Sequence, residues 1–297
     1  MAIGDQTMLK EYKKHVEERA KQNIPPLPLD AEQTANLVEL LKSEHSESDL
    51  LIYLLKERVP AGVDQSAYIK AAFLADITSD KTSSPYISKT EAVEILGTML
   101  GGYNIEPLIK CLEIDELGQP AAEALSNTLL IFDAFNEVFD LSKKNKYAKQ
   151  VIDAWAEGKW FTEKSDIDKQ IKLTVYKVPG EINTDDLSPA TDAWSRPDIP
   201  LHAQAMFKMP REGLKNPLET IDELKKKGNP LVFVGDVVGT GSSRKSATNS
   251  VLWHMGDEIP FIPNKKEGGF CFGGKIAPIF FNTLEDSGAF PIGMDVT

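Results

Sequence analysis

The spacing of apolar residues changes near residue 160, and this change limits what the chain can fold into. From Met8 to about Trp160 apolar residues recur with a helical period, interrupted by proline, glycine and capping residues. Beyond Trp160 the spacing alternates, and Lys169 to Val178 predicts a strand that ends at Pro179-Gly180. A length of 297 residues also favours two domains over one. We therefore expect an all-helical region and then an α/β region, joined by a polar connection within residues 160–168.

Short helices with short connections are predicted throughout the first region. Asp30, Ser48 and Ser88 stand where helix caps are favoured, and Ser88-Lys89-Thr90-Glu91 forms a capping box. The predicted helices lie near residues 8–20, 30–41, 48–56, 64–76, 88–100, 105–112, 121–132 and 147–155. Repeated antiparallel helices of this kind indicate a stack of the HEAT type, with an irregular all-helical domain as the alternative.

In the second region, Leu173 and Val175, with Ile171 as a further member, are predicted to share one side of the first strand. The later predicted elements are a buried strand at 231–234, a helix at 246–255, and pieces of strand or helix at 276–281 and 290–296. A Gly/Ser loop separates the buried strand from the helix. This order of strand, loop and helix is typical of ligand sites.

The charge balance excludes several classes of partner. Asp and Glu number 45 against 33 Lys and Arg, a formal charge of −12, so a broad nucleic-acid-binding face is not expected. No apolar run approaches the roughly 18 residues of a membrane span, and the first residues lack the apolar centre of a secretory signal. We expect a cytoplasmic protein without a membrane partner.

The cysteines and histidines do not form a recognisable metal site. Cys111 and Cys271 are the only cysteines, whereas an iron–sulfur cluster usually takes three or four thiolates. No two of the four histidines have the i, i+4 spacing of paired metal ligands on a helix. No metal ligands are therefore predicted in this chain.

The loop from Gly239 to Ser246 is the most informative segment for chemistry. Its glycines let the main chain approach a guest closely, and the following helix presents its positive end to an anion. Both common phosphate-loop patterns fail because each requires a glycine where Arg244 stands. The planar fork of Arg244, with the hydroxyls of Ser242 and Ser243 beside it, favours a carboxylate guest. A Gly/Ser turn with a solvated arginine is the alternative.

A second polar segment, INTDDLSP followed by AWSRP, contains Asp185 and Arg196. Alone, each half fits an acidic loop or an extended arginine before a proline. Together with LGTMLGGYNIEPLI, NTDDLSPATDAWSRPDIPLHA, GDVVGTGSSRKSATNSVLWHMGD and GGKIAPIFFNTLEDSGA, however, it resembles the aconitase superfamily, and within it the bacterial aconitase B family. The resemblance covers nearly the whole chain from Met8 to Thr297.

The resemblance implies a fold and a division of the chain. The fold class is multidomain, α followed by α/β: a HEAT-like helical domain over residues 8–163 and the aconitase swivel domain, of β/β/α type, over residues 164–297. Residues 1–7 are assigned to a tail or an expression remnant. In this family three further domains hold a [4Fe-4S] cluster, and the sequence contains no counterpart of their cluster-binding cysteines.

The resemblance also implies roles for five residues. Ser242 corresponds to the serine that removes the substrate α-proton, and Asp185 to an active-site acid, so these two are the predicted catalytic residues. The predicted substrate-binding residues are Arg196, Ser242, Ser243 and Arg244. In the complete enzyme, iron would act as Lewis acid while citrate is dehydrated to cis-aconitate and rehydrated to isocitrate, with 2-methylisocitrate as a further substrate.

For this chain alone the expectation is a folded but inactive wall of that active site, which binds tricarboxylates weakly. No cofactor is expected in the chain itself, and its partners would be the remaining aconitase domains. The alternatives are an interaction module, with a homodimer formed through the helical domain, and a separate small subunit as in isopropylmalate isomerase. RNA binding is a lesser expectation for so acidic a chain.

Overall fold

The computed structural model describes residues 3–128, 134–163, 166 and 168–296, with side chains from residue 7 onward. The chain forms two compact units. The first comprises Met1–Glu18, Pro28–Ile167 and Phe261–Pro263, and the second comprises Arg19–Leu27, Asp168–Pro260 and Asn264–Thr297. The predicted domain boundary falls on residues 164 and 165, and part of the predicted tail on residues 1 and 2, outside the described residues. Residues 3–7 of that tail continue the first helix, and no proline interrupts them.

The described part of the first unit is built mainly of helices with short connections. They are α1 (Ile3–Ala20), α2 (Ala31–Leu41), α3 (Ser48–Tyr53), α4 (Gln65–Thr78), α5 (Lys89–Gly97), α6 (Ile105–Cys111), α7 (Gly118–Ser126), α8 (Phe135–Ser142), α9 (Lys146–Glu157) and α10 (Lys159–Thr162). A π-helical turn at Leu54–Arg58 extends α3. The apolar faces of α1 to α9 share one core, to which α2 contributes Leu37 and Leu41.

Local chemistry fixes the start of two of these helices. The Asp30 side chain accepts a hydrogen bond from the Gln33 amide, and the Gln33 side chain accepts one from the Asp30 amide. Ser88 and Glu91 form the same reciprocal pair at α5, so both predicted caps are confirmed.

Two helix predictions were wrong in part. Ser48 is the first residue of α3 rather than its cap, and the predicted helix 48–56 runs on through the π turn because Pro60 is the first residue that forbids continuation. Helix α8 was not predicted. Of the helix predicted at 121–132, α7 covers residues up to Ser126, and residues 129–132 lie outside the described residues.

The second unit is an α/β structure with a parallel four-stranded sheet. Its strands are β1 (Thr174–Asn183), β2 (Leu231–Thr240), β5 (Phe270–Ile276) and β6 (Phe290–Gly293), in the order β1-β2-β5-β6. A short antiparallel pair, β3 (Asp257–Glu258) and β4 (Lys266–Glu267), lies apart from it. The helices are α11 (Thr184–Leu187), α12 (Ile199–Ala203), α13 (Pro217–Lys225), α14 (Arg244–Met255) and α15 (Pro278–Asp286), with a 3₁₀ turn at Ala190–Ser195.

The predictions for β1 were wrong in its bounds and in its buried side. The strand begins at Thr174 and continues through Pro179-Gly180 to Asn183, with a shift of register between Val178 and Glu181. This irregularity absorbs the proline, which has no amide hydrogen for a ladder bond. Tyr176 and Val178 are buried while Val175 is 54% exposed, so the buried side is the one opposite to the prediction. A one-residue error in phase exchanges the two sides of any strand.

The prediction of a buried strand at 231–234 is confirmed, although the strand is longer than predicted. Leu231–Val234 is the buried start of β2, which continues beyond Gly235 to Thr240. The helix predicted at 246–255 begins two residues earlier, at Arg244. No helix within the described ranges is both long and apolar enough to cross a membrane.

Candidate functional site

The Gly/Ser loop lies between the end of β2 and the start of α14. Gly241 has φ +106°, and a Cβ atom there would lie 2.5 Å from Thr184 Oγ1 and 2.6 Å from Asn183 Oδ1. Only glycine fits such a close approach at a positive φ. The Ser243 amide donates a hydrogen bond to Thr184 Oγ1 over 3.2 Å. The loop is therefore attached to the segment that follows β1.

The segment after β1 is held by the Asp186 side chain, which takes part in the capping box of α11, and by Arg211. Asp186 Oδ2 accepts hydrogen bonds from the Asn183 amide at 2.8 Å and from Arg211 Nη1 at 3.2 Å. Arg211 also donates to the carbonyl of Pro179 at 2.7 Å. Arg211 donates to the Glu181 carbonyl as well, at 2.5 Å. Because three backbone groups bond these two side chains, α11 and its Thr184 hydroxyl are fixed beside the loop.

Arg196 follows the 3₁₀ turn and reaches the same loop. Its Nη2 donates a hydrogen bond to Ser243 Oγ over 3.0 Å. Its Nε is buried and has no hydrogen-bond partner within the described residues. The guanidinium is thus oriented by Ser243 while part of its bonding capacity stays unused, which suits an arginine that receives a ligand.

Arg196 and the loop border one open cavity of about 620 Å³. Its walls are formed by Arg196, Pro197, Ser242, Ser243, Arg244, Lys245, Ser246, Asn249, Ile279 and Thr283. Three of these side chains are cationic and none is acidic. The first turn of α14, whose amides lack intrahelical acceptors, lies at the same wall. The cavity therefore has a positive potential and the size of a small-molecule site.

Four of the five predicted site residues lie together at this cavity. Ser242, Ser243, Arg244 and Arg196 line it, whereas Asp185 does not. Asp185 is exposed at the first turn of α11, next to Thr184, and its amide donates to Asn183 Oδ1 at 2.9 Å. Its catalytic role stays a prediction.

Several lining residues were missed by sequence reasoning. Three of them, Lys245, Ser246 and Asn249, lie on α14. Asn249 is four residues after Lys245 and three after Ser246, so the helical period places the three side chains near one another. This spacing could have predicted that they share a surface. Ile279 and Thr283 come from α15, which tertiary packing brings to the cavity. No local pattern predicts that packing.

The described residues do not fit the requirements of an iron–sulfur cluster. Cys111 and Cys271 are free and buried, and they belong to different units. Burial raises the pKa of Cys271 to about 12 and also raises the pKa of Cys111, which keeps both in the thiol form rather than the ligating thiolate. Within the part of the chain that the structure describes, no three His, Cys, Asp or Glu side chains are grouped as metal ligands would be.

Comparison with known proteins gives matches over both units. Residues 11–161 match the family described as the aconitate B N-terminal domain, and residues 173–297 match the aconitate hydratase 2 N-terminus. The relatives include proteins named aconitate hydratase B from Pseudomonas aeruginosa, Synechocystis and Helicobacter pylori. The first is 58% identical over 98% of the chain, the second 60% over 97%, and the third 51% over 97%. The alignments cover 34%, 33% and 34% of these relatives, so the chain spans about a third of their length.

Proposed function

Because the chain belongs to the aconitase B family, we propose that it supplies the carboxylate-binding and base-bearing wall of an aconitate hydratase. The relatives are named for that activity, which isomerises citrate and isocitrate through cis-aconitate. The observation that carries the proposal is the convergence of Arg196 with Ser242, Ser243 and Arg244 on one cationic cavity.

The proposed guest is a tricarboxylate. Arg196 and Arg244 each offer a planar fork that matches a carboxylate, and Lys245 adds a third positive charge at the rim. With no acidic side chain among the lining residues, nothing in the cavity neutralises these charges before the guest arrives. Several anchors of this kind orient a polyacid, whereas a single carboxylate would meet only one of them.

Ser242 is the proposed base. A neutral serine hydroxyl is a weak base, and the alkoxide is the form that can remove a proton from carbon. A positive environment stabilises the alkoxide and so makes this form accessible. The cationic side chains and the helix start supply that environment beside Ser242. The substrate C–H bond would break with its proton passing to Ser242 Oγ. The hydroxyl that must leave the adjacent carbon finds no carboxylic acid, histidine or metal ligand among the cavity-lining side chains, so this wall is proposed to perform only part of the reaction.

The chain by itself is therefore proposed to bind substrate weakly and not to turn it over. The relatives extend over about three times its length, and in this family a [4Fe-4S] cluster would supply the Lewis acid. The residues described here do not form a site for that cluster, so no step of this proposal passes through it.

We extend the proposal to the organisation of the chain. Residues 8–163 are assigned to a HEAT-like domain, supported by the succession of short helices, and residues 164–297 to the swivel domain of the family, supported by the parallel sheet that bears the site. A homodimer through the helical region, RNA binding and a cytoplasmic location stay predictions. No observation favours a separate interaction function over the enzyme.

Citrate titration followed by amide NMR shifts tests the proposal. The largest shifts are expected in the Ser242–Ser246 amides and around Arg196, with inorganic phosphate producing smaller shifts at equal concentration. Shifts confined to other surfaces, or a stronger response to phosphate, would refute the assignment of a carboxylate site.

A further inference from the structure

His202 is a buried polar side chain that the proposed reaction does not use. It lies on α12, is 2% exposed, and does not line the cavity. Ser195 Oγ lies 2.8 Å from its Nδ1, and Ser188 Oγ lies 2.7 Å from its Nε2. Both ring nitrogens are therefore engaged, which offsets the cost of burying an imidazole.

The hydrogen-bonded chain continues to the cavity wall. Ser188 Oγ donates to Ser246 Oγ over 2.8 Å, and Ser246 Oγ donates to the Ser243 carbonyl over 3.2 Å. Ser195 Oγ also donates to the Asp192 carbonyl over 2.7 Å. Each of the two serines beside the ring therefore has a second hydrogen-bond partner, which is the Ser246 hydroxyl for Ser188 and the Asp192 carbonyl for Ser195.

The surroundings of the ring favour the neutral imidazole. Burial, followed by the positive charge of Arg196, lowers the pKa of His202 from its ordinary value of 6.5. A second cation beside Arg196 is thereby avoided.

The three serines belong to the three segments that build the site. Ser188 follows α11, whose Thr184 supports the loop, and Ser195 immediately precedes Arg196. Ser246 lies in the first turn of α14, two residues after Arg244. One imidazole thus links the segments that carry every predicted site residue.

We propose that His202 is a positioning residue whose imidazole holds Arg196 and the first turn of α14 in register, so that both guanidinium groups face one guest. The inference rests on the proposed function, since it concerns how the same cavity is held. A histidine serving only to fill the core would stabilise the fold without changing ligand affinity, and this difference can be measured.

The experiment compares citrate affinity and thermal unfolding of the whole 297-residue chain in His202→Phe and His254→Phe. His254 is the matched control. It is in the same unit, burial lowers its pKa to about 4, and its Nε2 lies 3.0 Å from the Ala203 carbonyl, so it contacts α12 from the last turn of α14 and bonds none of the three serines. We expect His202→Phe to weaken citrate binding about tenfold, as loss of a buried hydrogen-bond hub would, and His254→Phe to change it less than about twofold. Wild-type affinity in folded His202→Phe, or equal losses in both variants, would overturn the inference.

Two further measurements keep the inference testable if His202→Phe does not fold. Ser195→Ala removes the hydroxyl that contacts Nδ1 and the Asp192 carbonyl, and it is expected to weaken citrate binding in the same direction. The ¹⁵N spectrum of the wild-type imidazole is expected to show a neutral ring at pH 7. A doubly protonated ring at pH 7, or unchanged citrate affinity in Ser195→Ala, would contradict the inference.

Arg244→Gln separates the two proposals. If it weakens citrate binding while the His202 and Ser195 variants bind normally, the positioning inference fails and the proposed function stands. If Arg244→Gln binds citrate like the wild type, the proposed function fails and the positioning inference fails with it.

Discussion

Replacing Lys70 by methionine is expected to stabilise the protein at neutral pH. Lys70 lies on α4 in the first unit and is 0% exposed, and its Nζ has no hydrogen-bond partner within the described residues. Burial lowers its pKa to about 8 from 10.5, against a smaller opposing effect of the Glu57 carboxylate. At pH 7 the ammonium is therefore still charged, although it is buried.

The lowered pKa sets the size of the effect. A fall from 10.5 to about 8 corresponds to about 3 kcal/mol of unfavourable interaction with the charged form. The unfolded lysine binds its proton more tightly than the folded one, so the cost is complete below pH 8 and disappears as the pH rises above 10.5. Methionine has a similar length and flexibility without the charge. Lys70→Met should thus gain about 2–3 kcal/mol at pH 7.

Urea unfolding of both proteins between pH 7 and pH 10 measures this gain. The difference in unfolding free energy between the two proteins should shrink steadily above pH 8. The buried lysine then loses its proton, and with it the cost of a buried charge, whereas methionine carries no charge at any pH. Lys10→Met, at an exposed position on α1, should change stability by less than about 0.5 kcal/mol at every pH. A variant less stable than the wild type at pH 7, or a gain that does not depend on pH, would refute the reasoning.

Three further predictions concern the site. The chain alone should form no cis-aconitate from citrate, since its two cysteines cannot supply the thiolates of a cluster, and ultraviolet absorbance would detect any turnover. Lys245→Met should weaken citrate binding about threefold in low salt and less in high salt, because this exposed charge is screened; calorimetry at two salt concentrations checks this. Gly241→Ala should lower both the melting temperature and citrate affinity, because its Cβ would collide with Thr184 Oγ1, whereas equal affinity would show that the loop tolerates the displacement.

Local chemistry explains which parts of the fold were predictable. The starts of α2 and α5 followed from the caps Asp30 and Ser88, whose hydrogen-bond partners lie only three residues further along the chain. The buried side of β1 did not follow from its alternation, because Lys169–Leu173 lies outside the strand and apolar residues occupy both sides of Thr174–Val178. Which side is buried depends on the neighbouring elements that cover the sheet.

The same distinction applies to the site. The Gly/Ser loop could be proposed as an anion site from its own residues, since a glycine turn before a helix is local information. The approach of Arg196 to Ser243 spans 47 positions of sequence and was expected only from the family resemblance. The contribution of α15 to the cavity and the link through His202 depend on packing between distant segments, and no local pattern encodes them.

The central claim is that Arg196 and Arg244 together bind a polycarboxylate, and citrate titration of the whole chain tests it most directly. The wild type is expected to bind citrate weakly, with a dissociation constant in the millimolar range. Arg196→Gln and Arg244→Gln should each weaken binding by about tenfold, while Lys172→Gln, at an exposed position outside the cavity, should leave it unchanged. Equal affinities across all four proteins, or micromolar binding that survives loss of either arginine, would contradict the account.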